Sequence, residues 1–486
     1  MAAKLQQISE LSKLLADKTS VAHDFISLLG EFRLGQALRG CQMEKRCGAR
    51  PIDLLRCLLI FRLCDVSIYQ SYRQRFGDLI EGGKNQFYRL LNRPNVQWRK
   101  LLYRVAQSFI RLVNEKGDAP TQWNYAIIDD TTIEKTGKKM EQITKVFDHT
   151  TMSYMLGYKL QALSISDGKS TLPIDFTLHA EAHKDKSGGL TKKQQDARHH
   201  TKREDSDCLK AREQEMFQKK TEAALAMLKR VYKYGICPIM LLIDKWYCSA
   251  DFIRQVREIA HGAIHVLTLL RDKRTKFVVN GKTKSALQMI KEHDGIKVRK
   301  CKLFKGHYFV VDALLDGIPV RLFFVQYGSN TDWEVMLTTN TKLKFAEAFK
   351  TYQIRWNIEV LFKECKSYFN LGGCQSTNLN SQFADSTLVF IGYTIIALRK
   401  RFSDYETMGE LFRDTQKGLL ALSLLDRVLP IIVKIIETLL SLCNTTPNEI
   451  MERAMADEEA NHQLLVYLNY HQSVKERNDK MEYWCA

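Results

Sequence analysis

Proline and long uncharged hydrophobic runs are scarce in this sequence. Its 486 residues include 8 prolines and no glycine- or serine-rich tract, which excludes collagen-like and low-complexity architectures. The most apolar stretch, residues 418–443, is interrupted by Asp426, Arg427, Lys434 and Glu437. A membrane span would not carry four charges at those places. We therefore expect a soluble protein with no membrane partner.

The 12 cysteines follow no metal-binding spacing. The nearest pairs, Cys41 with Cys47 and Cys57 with Cys64, match neither a zinc ribbon nor a zinc finger. The first residues, Met1 to Leu5, lead directly into a charged helical pattern and lack the features of a secretory signal. The sequence therefore predicts reduced, buried thiols in a cytoplasmic protein.

The composition is that of a large globular protein with an excess of positive charge. Hydrophobic residues make up 45% and aromatic residues 10% of the chain, which excludes an intrinsically disordered protein. Lysine and arginine number 73 against 55 acidic residues, a formal net charge of +18. Such an excess favours a polyanionic partner such as nucleic acid. Heparin-binding and ribosome-associated proteins share this signature, so the charge alone leaves the polyanion open.

The N-terminal region has helical periodicity from Leu5 to about Val113. Within it, residues 67–76 and 84–91 are short helix candidates that carry arginine and tyrosine and flank a glycine-containing break. This arrangement is compatible with a DNA-binding helix-turn-helix. A helical bundle with a solvated basic face is the alternative.

Short apolar runs typical of buried strands begin after residue 122. Two of them, residues 126–128 and 241–243, end in the aspartates Asp129, Asp130 and Asp244. Because open sheets bind ligands at the carboxyl edge of parallel strands, these carboxylates can meet there. Oxygen ligands of this kind suit Mg²⁺, whereas either aspartate alone could be an ordinary turn residue. Further strands are predicted at residues 158–165, 172–178, 266–270, 277–279, 308–312, 320–325 and 335–338.

Helices are predicted at residues 249–260, 341–371 and from 385 to the C-terminus. Between the strand regions, residues 183–220 are highly charged. Four of their cations could contact a phosphate backbone, and a solvated charge run is the alternative. These cations are Lys192, Lys193, Lys202 and Arg203.

The helix at 341–371 presents four functional side chains on one face. Tyr352, Arg355, Glu359 and Lys366 are separated by 3, 4 and 7 positions, which at about 100° per residue places them within a sector of about 60°. Arg355 and Glu359 could also form an ordinary i,i+4 ion pair. The long spacing to Lys366 and the tyrosine favour a functional face.

These motifs resemble those of a known family. Tyr-x2-Arg-x3-Glu-x6-Lys is similar to the YREK signature of bacterial insertion-sequence transposases of the fourth insertion-sequence family, relatives of the Tn-five enzyme. The segments around the two strand-end aspartates, residues 127–132 and 242–244, match the same family. The resemblance spans about residues 123–401 and implies an α/β fold with an RNase H-like catalytic core.

The resemblance also implies the domain organisation and the site residues. The core, residues 119–261 and 345–405, would be interrupted by a β-rich insertion at 262–344 and flanked by helical regions at 1–118 and 406–486. Asp130, Asp244 and Glu359 would form the metal-binding triad; the Asp-Thr-Thr order favours Asp130 and leaves Asp129 open. Tyr352, Arg355 and Lys366 would contact DNA, and Trp333 would hold a flipped base, with a core tryptophan as the alternative.

The implied activity is DDE transposition. Mg²⁺, or Mn²⁺ in its place, would support cleavage at the terminal inverted repeats of an insertion sequence and strand transfer to target DNA. A homodimer on DNA is also implied, and the apolar C-terminal region is a candidate interface, although burial within its own domain would equally explain it. A metal-dependent nuclease with the same triad and a non-cutting DNA-binding relative are the alternatives.

Overall fold

A computed structural model of the protein describes residues 25, 27–45, 47–64, 67–70, 82–117, 120–181, 187–198, 206–292, 297–301, 305–327 and 332–420. Several sequence predictions lie outside these residues. They include residues 71–76 of the first helix candidate in the N-terminal region, the cations Lys202 and Arg203, and the apolar C-terminal region beyond residue 420.

Twelve strands in the described part of the chain form one mixed sheet. They are β1 (Tyr125–Glu134), β2 (Thr144–Asp148), β3 (Ser153–Ser166), β4 (Thr171–His179), β5 (Met240–Ile243), β6 (His265–Leu269), β7 (Lys276–Val279), β8 (Lys282–Ser285), β9 (Arg299–Cys301), β10 (Gly306–Leu315), β11 (Ile318–Tyr327) and β12 (Glu334–Thr338).

The strand order divides the sheet into two parts. In the first part the order is β4-β3-β1-β5-β6, with β3 antiparallel to β1 and β4, while β1, β5 and β6 run parallel. β2 pairs with the beginning of β3. The second part continues from β6 through β12, β11, β10 and β7 to β8, with neighbouring strands antiparallel. A mixed α/β fold is therefore confirmed.

Helices precede the sheet, connect its strands and follow it. They are α1 (Leu34–Leu38), α2 (Pro51–Leu63), α3 (Ile68–Gln70), α4 (Asn85–Asn92), α5 (Trp98–Lys116), α6 (Lys192–Asp196), α7 (Asp207–Met216), α8 (Lys220–Lys233), α9 (Ala250–Ile259), α10 (Ala286–Lys291), α11 (Phe345–Gln353), α12 (Asn357–Tyr368) and α13 (Leu379–Arg401). Residues 408–420 are also helical.

Helix α13 forms the centre of the helical layer. It is long and apolar enough to span a membrane, but its most apolar 18-residue window is entirely buried within the protein. It packs against α5, α2 and α4 and touches β4. Burial on all sides explains why its sequence is apolar around the whole circumference rather than along one stripe.

Two predicted elements differ from the structure near the sheet edge. The strand that begins at Tyr125 does not end before the aspartates but continues to Glu134, because the long strand β3 pairs with it along its whole length. The helix predicted at 341–371 is divided into α11 and α12 by a short 3₁₀ turn, Ile354–Trp356. The hairpin predicted between β3 and β4 is confirmed, and Gly168 has the positive φ of 89° that such a turn requires.

A buried ion cluster joins α5 to the sheet. Asp175 on β4 is fully buried and accepts hydrogen bonds from Arg99 Nε at 2.6 Å, Arg230 Nε at 2.7 Å and the Tyr103 hydroxyl at 2.7 Å. Glu215 on α7 contacts both arginines, at 2.6 and 3.0 Å. Because every charge has a partner of opposite sign, the cluster connects four elements without leaving a buried charge unpaired.

Candidate active site

The register of two parallel strands brings two aspartates together at the edge of the sheet. β1 and β5 pair so that Ile128 is opposite Ile243. Asp129 and Asp244 are the next residues of each strand, and both line the same cleft. The parallel pairing therefore brings both aspartates to the same edge of the sheet.

Arg355 connects Asp129 to the third predicted carboxylate. Its Nη1 lies 3.2 Å from Asp129 Oδ2, and its Nη2 donates to Glu359 Oε1 at 2.8 Å. Burial raises the pKa of the Asp129 carboxyl to about 7. The hydrogen bond from the Asp130 amide and the charge of Arg355 oppose this shift, whereas the carboxylates of Asp130 and Glu359 add to it. One guanidinium in the turn between α11 and α12 thus holds two carboxylates from distant parts of the sequence.

Asp130 points to the opposite face of β1 from Asp129, because side chains alternate along a strand. Its Oδ2 accepts a hydrogen bond from Lys220 Nζ at 2.8 Å, and Lys159 Nζ lies 3.6 Å from its Oδ1. Burial disfavours the charged carboxylate, but the two lysines outweigh that effect and lower the pKa of Asp130. Asp129 therefore contacts Arg355, whereas Asp130 contacts two lysines, and both aspartates line the cleft.

An open cleft of about 960 Å³ surrounds these groups. Five cations line it together with four aspartates and Glu134. The cations are Lys159, Lys220, Lys245, Arg271 and Lys366, and Asp148 is the fourth aspartate. The cleft therefore contains carboxylates and cations in equal number, a lining that suits both metal ions and phosphate groups.

The remaining predicted site residues occupy different positions. Lys366 lines the cleft. The Tyr352 hydroxyl donates to the Ile243 carbonyl at 3.4 Å, so this side chain attaches α11 to the end of β5. Trp333 is not among the residues that line the cleft, and its ring packs edge-on against Phe309 with centroids 5.1 Å apart.

The carboxylates suit a divalent metal ion in their chemistry, because Mg²⁺ prefers oxygen ligands. Among the described residues, however, no group of three or more His, Cys, Asp or Glu side chains is close enough together to hold a metal. Asp129 and Asp244 line the cleft, whereas Glu359 does not and is joined to Asp129 through Arg355. Two of the three carboxylates thus share the cleft, and Glu359 is joined to Asp129 through a guanidinium.

The wall opposite the strands is built by the loop after α12. Lys135 is buried just beyond the end of β1, where its Nζ donates to the Gly372 carbonyl at 2.6 Å and the Cys374 carbonyl at 2.9 Å. Gly373 packs so closely on the Asn370 side chain that a Cβ atom would lie 2.0 Å from its Oδ1. These contacts determine the shape of that side of the cleft.

Lys159, Lys220 and Trp246 are among the cleft residues that were not predicted from the sequence. Lys159 lies within β3, and the sequence of that strand does not indicate that the lysine contacts Asp130. Lys220 belongs to the charged segment 183–220, for which a solvated charge run was the alternative. Trp246 follows Asp244 by two residues and is 47% exposed in the cleft. The position of an aromatic residue two places after a strand-end aspartate could have identified Trp246 as a residue of the cleft.

Two family models match overlapping parts of the chain. Residues 71–279 match a model described as DDE superfamily endonuclease, and residues 218–395 match one described as Transposase DDE domain. The first match includes Asp129, Asp130 and Asp244, and the second includes Asp244 and Glu359. No curated protein matches the chain. These matches support a DDE-type transposase or nuclease activity on DNA, for which divalent metal ions are the usual cofactors.

Proposed function

We propose that this protein is a DDE transposase of the YREK type that catalyses Mg²⁺-dependent cleavage and strand transfer of an insertion sequence. The single observation that carries the proposal is that Asp129 and Asp244 follow paired residues of two parallel strands and line one cleft, with Arg355 joining Asp129 to Glu359. Both family matches include part of this constellation. Mn²⁺ is expected to substitute for Mg²⁺.

We assign the metal ligands to Asp129, Asp244 and Glu359. When bound, a pair of Mg²⁺ ions supplies activation of the attacking oxygen and stabilisation of the leaving oxygen at a phosphate. Asp130, which the sequence motif favoured, holds Lys220 instead, and the ion pair fixes the amino group of that lysine at the edge of the cleft. Arg355 positions the two carboxylates that it contacts.

The cations of the cleft are proposed to bind the DNA backbone. Lys366 and Lys220 act as point charges on phosphate oxygens, because an ammonium group on a long stem needs no fixed geometry. Phosphate contacts by Arg355 and Tyr352 remain predictions of the resemblance, and both side chains make hydrogen bonds within the chain. A base-holding role for Trp333 likewise remains a prediction.

The domain organisation and assembly are proposals of the same kind. The strand order β4-β3-β1-β5 supports an RNase H-like core formed by residues 119–261 and 345–405. Residues 262–344 would be inserted between these parts, where they add β6 beside β5 and supply the second part of the sheet. The helical region 1–118 would bind the terminal inverted repeats. The region 406–486 would pair two copies on DNA.

A donor plasmid carrying the gene with its own flanking DNA tests the proposal. Purified protein with Mg²⁺ is expected to cut at both flanks and to join the released 3′-ends to a target plasmid, whereas EDTA abolishes both products. Absence of any cleavage with Mg²⁺ or Mn²⁺ would contradict the proposal. The products should be mapped by sequencing, since terminal inverted repeats would lie at the cut sites.

The second candidate is a metal-dependent DNA nuclease that uses the same carboxylates without strand transfer. The match to a model described as DDE superfamily endonuclease favours it. The same assay separates the two functions, because the nuclease would release ends but leave the target plasmid unjoined. A non-cutting DNA-binding relative would give neither product.

A further inference from the structure

A buried lysine attaches the loop that follows α12 to the end of β1. Residues 370–373 of this loop line the cleft. Lys135 is the first residue after β1, and its Nζ donates to the Gly372 carbonyl at 2.6 Å and to the Cys374 carbonyl at 2.9 Å. The backbone amide of Lys135 donates to the Leu156 carbonyl on β3 at 2.8 Å, so the loop is fixed to the sheet through this residue.

The attachment uses a charged group in a place where a neutral donor would be easier to bury. Lys135 is 4% exposed, and in the described part of the chain its ammonium group forms no ion pair with a carboxylate. Arg62, a charge near it, has the same sign. Burying an ammonium group without a counter-charge opposes folding, whereas hydrogen bonds from a charged donor are stronger than neutral ones. The choice of lysine therefore favours a firmly held loop over stability.

The loop is continuous with the helix that carries the third carboxylate. α12 carries Glu359, and β1 carries Asp129. The amide of Leu371 donates to the Cys365 carbonyl at 3.0 Å, which closes the loop onto the last turn of α12. Because loop and helix are bonded to each other, a loop released from β1 would allow the end of α12 to move relative to the strand. Lys135 thus limits the separation of the two elements that bear these carboxylates.

We propose that Lys135 is a positioning residue for DNA cleavage, which holds α12 and its Glu359 at the distance from Asp129 that the reaction needs. This inference rests on the proposed function, because it takes the two carboxylates as parts of one active site. Lys135 does not line the cleft and acts through the loop. Small displacements matter, since a misplacement of about 1 Å reduces catalysis about a hundredfold.

Hydrogen–deuterium exchange with peptide mass spectrometry tests the attachment without measuring activity. Lys135→Met removes both side-chain hydrogen bonds and keeps a side chain of similar length. Exchange in the peptide that contains residues 370–374 should become about 10- to 100-fold faster, the change expected for the loss of bonds from a charged donor. A peptide from β11, in the second part of the sheet, is the internal control and should exchange as in the wild type.

Single-turnover cleavage of the flanking DNA with Mg²⁺ tests the effect on the reaction. Lys135→Met should lower the maximal rate about 10- to 100-fold and leave the half-saturating DNA concentration within about threefold, because displaced carboxylates affect the chemical step rather than binding. Lys135→Arg retains charged donors and should recover most of the rate. Lys138→Met is the matched control, since Lys138 follows β1 in the same segment but is exposed and does not line the cleft. Both of its parameters should equal those of the wild type.

Three results would overturn the inference. They are unchanged exchange of the loop in Lys135→Met, equal acceleration in the β11 peptide, and faster loop exchange with an unchanged maximal rate of cleavage. A higher half-saturating DNA concentration at an unchanged maximal rate would also overturn it, because Lys135 would then act in binding. A wild type that cuts no DNA would instead contradict the proposed function, and the exchange measurement would still decide whether Lys135 holds the loop.

Discussion

Replacing Asp175 by asparagine tests how the helical region is joined to the sheet. The wild-type cluster is neutral, because Asp175 and Glu215 balance Arg99 and Arg230. The substitution leaves one uncompensated positive charge among side chains that are at most 24% exposed. Breaking a buried ion pair in this way costs about 3–5 kcal/mol of folding free energy.

The size of the loss is measurable by urea unfolding followed by tryptophan fluorescence. Asp272→Asn is the control, since the Asp272–Arg274 pair lies at the surface and its loss should leave the unfolding midpoint unchanged. A loss below about 1 kcal/mol for Asp175→Asn would refute the view that the cluster is a buried, mutually dependent unit.

The difference in stability between the wild type and Asp175→Asn should change with pH in a known direction. Burial disfavours the Asp175 carboxylate, but the two arginines outweigh that effect and lower its pKa in the folded protein. A lowered carboxyl pKa gives stability that is complete above the unfolded value of about 3.9 and is lost as pH falls through the folded value. The wild-type advantage over Asp175→Asn should therefore be constant from about pH 5 to 8 and shrink below about pH 4.

Three further outcomes follow from single contacts. Burial lowers the pKa of Lys135 to about 8, so the stability of the wild type relative to Lys135→Met should rise between about pH 8 and 10.4 in thermal melts. Gly157→Ala should destabilise by about 3 kcal/mol in urea unfolding, because its Cβ would lie 2.1 Å from the Ile133 carbonyl oxygen, whereas Gly35→Ala meets nothing within 4 Å and should be tolerated. Lys366→Ala should weaken DNA binding at every sequence and reduce the salt slope by about one, as titrations at several salt concentrations would detect.

The elements that bear the site could be predicted because their signals are local. The runs before Asp129 and Asp244 are short and apolar, as strands buried on both faces are. The helical period around Glu359 was visible for the same reason. Short polar strands such as β8, whose sequence is Lys-Thr-Lys-Ser, were missed because they bury little and pair only within the second part of the sheet.

The choice between Asp129 and Asp130 could not be made from the sequence. Adjacent residues of a strand point to opposite faces, so a shift of one position exchanges the contacts that the two carboxylates make. The register is determined by pairing with β3 and β5, which lie far away in the chain. The contact of Arg355 with Asp129, 226 positions apart, depends on the same tertiary arrangement.

The most direct test of the account compares Mg²⁺-dependent cleavage of the flanking DNA by Asp129→Asn and Asp130→Asn. Loss of a metal ligand removes several kcal/mol of transition-state stabilisation, so Asp129→Asn should cut about a thousandfold more slowly or worse, as should Asp244→Asn. Asp130→Asn loses only its ion pairs to Lys220 and Lys159 and should stay within about tenfold of the wild type. Rapid cutting by Asp129→Asn together with an inactive Asp130→Asn would contradict the assignment of the first ligand, and rapid cutting by Asp244→Asn would contradict the site itself.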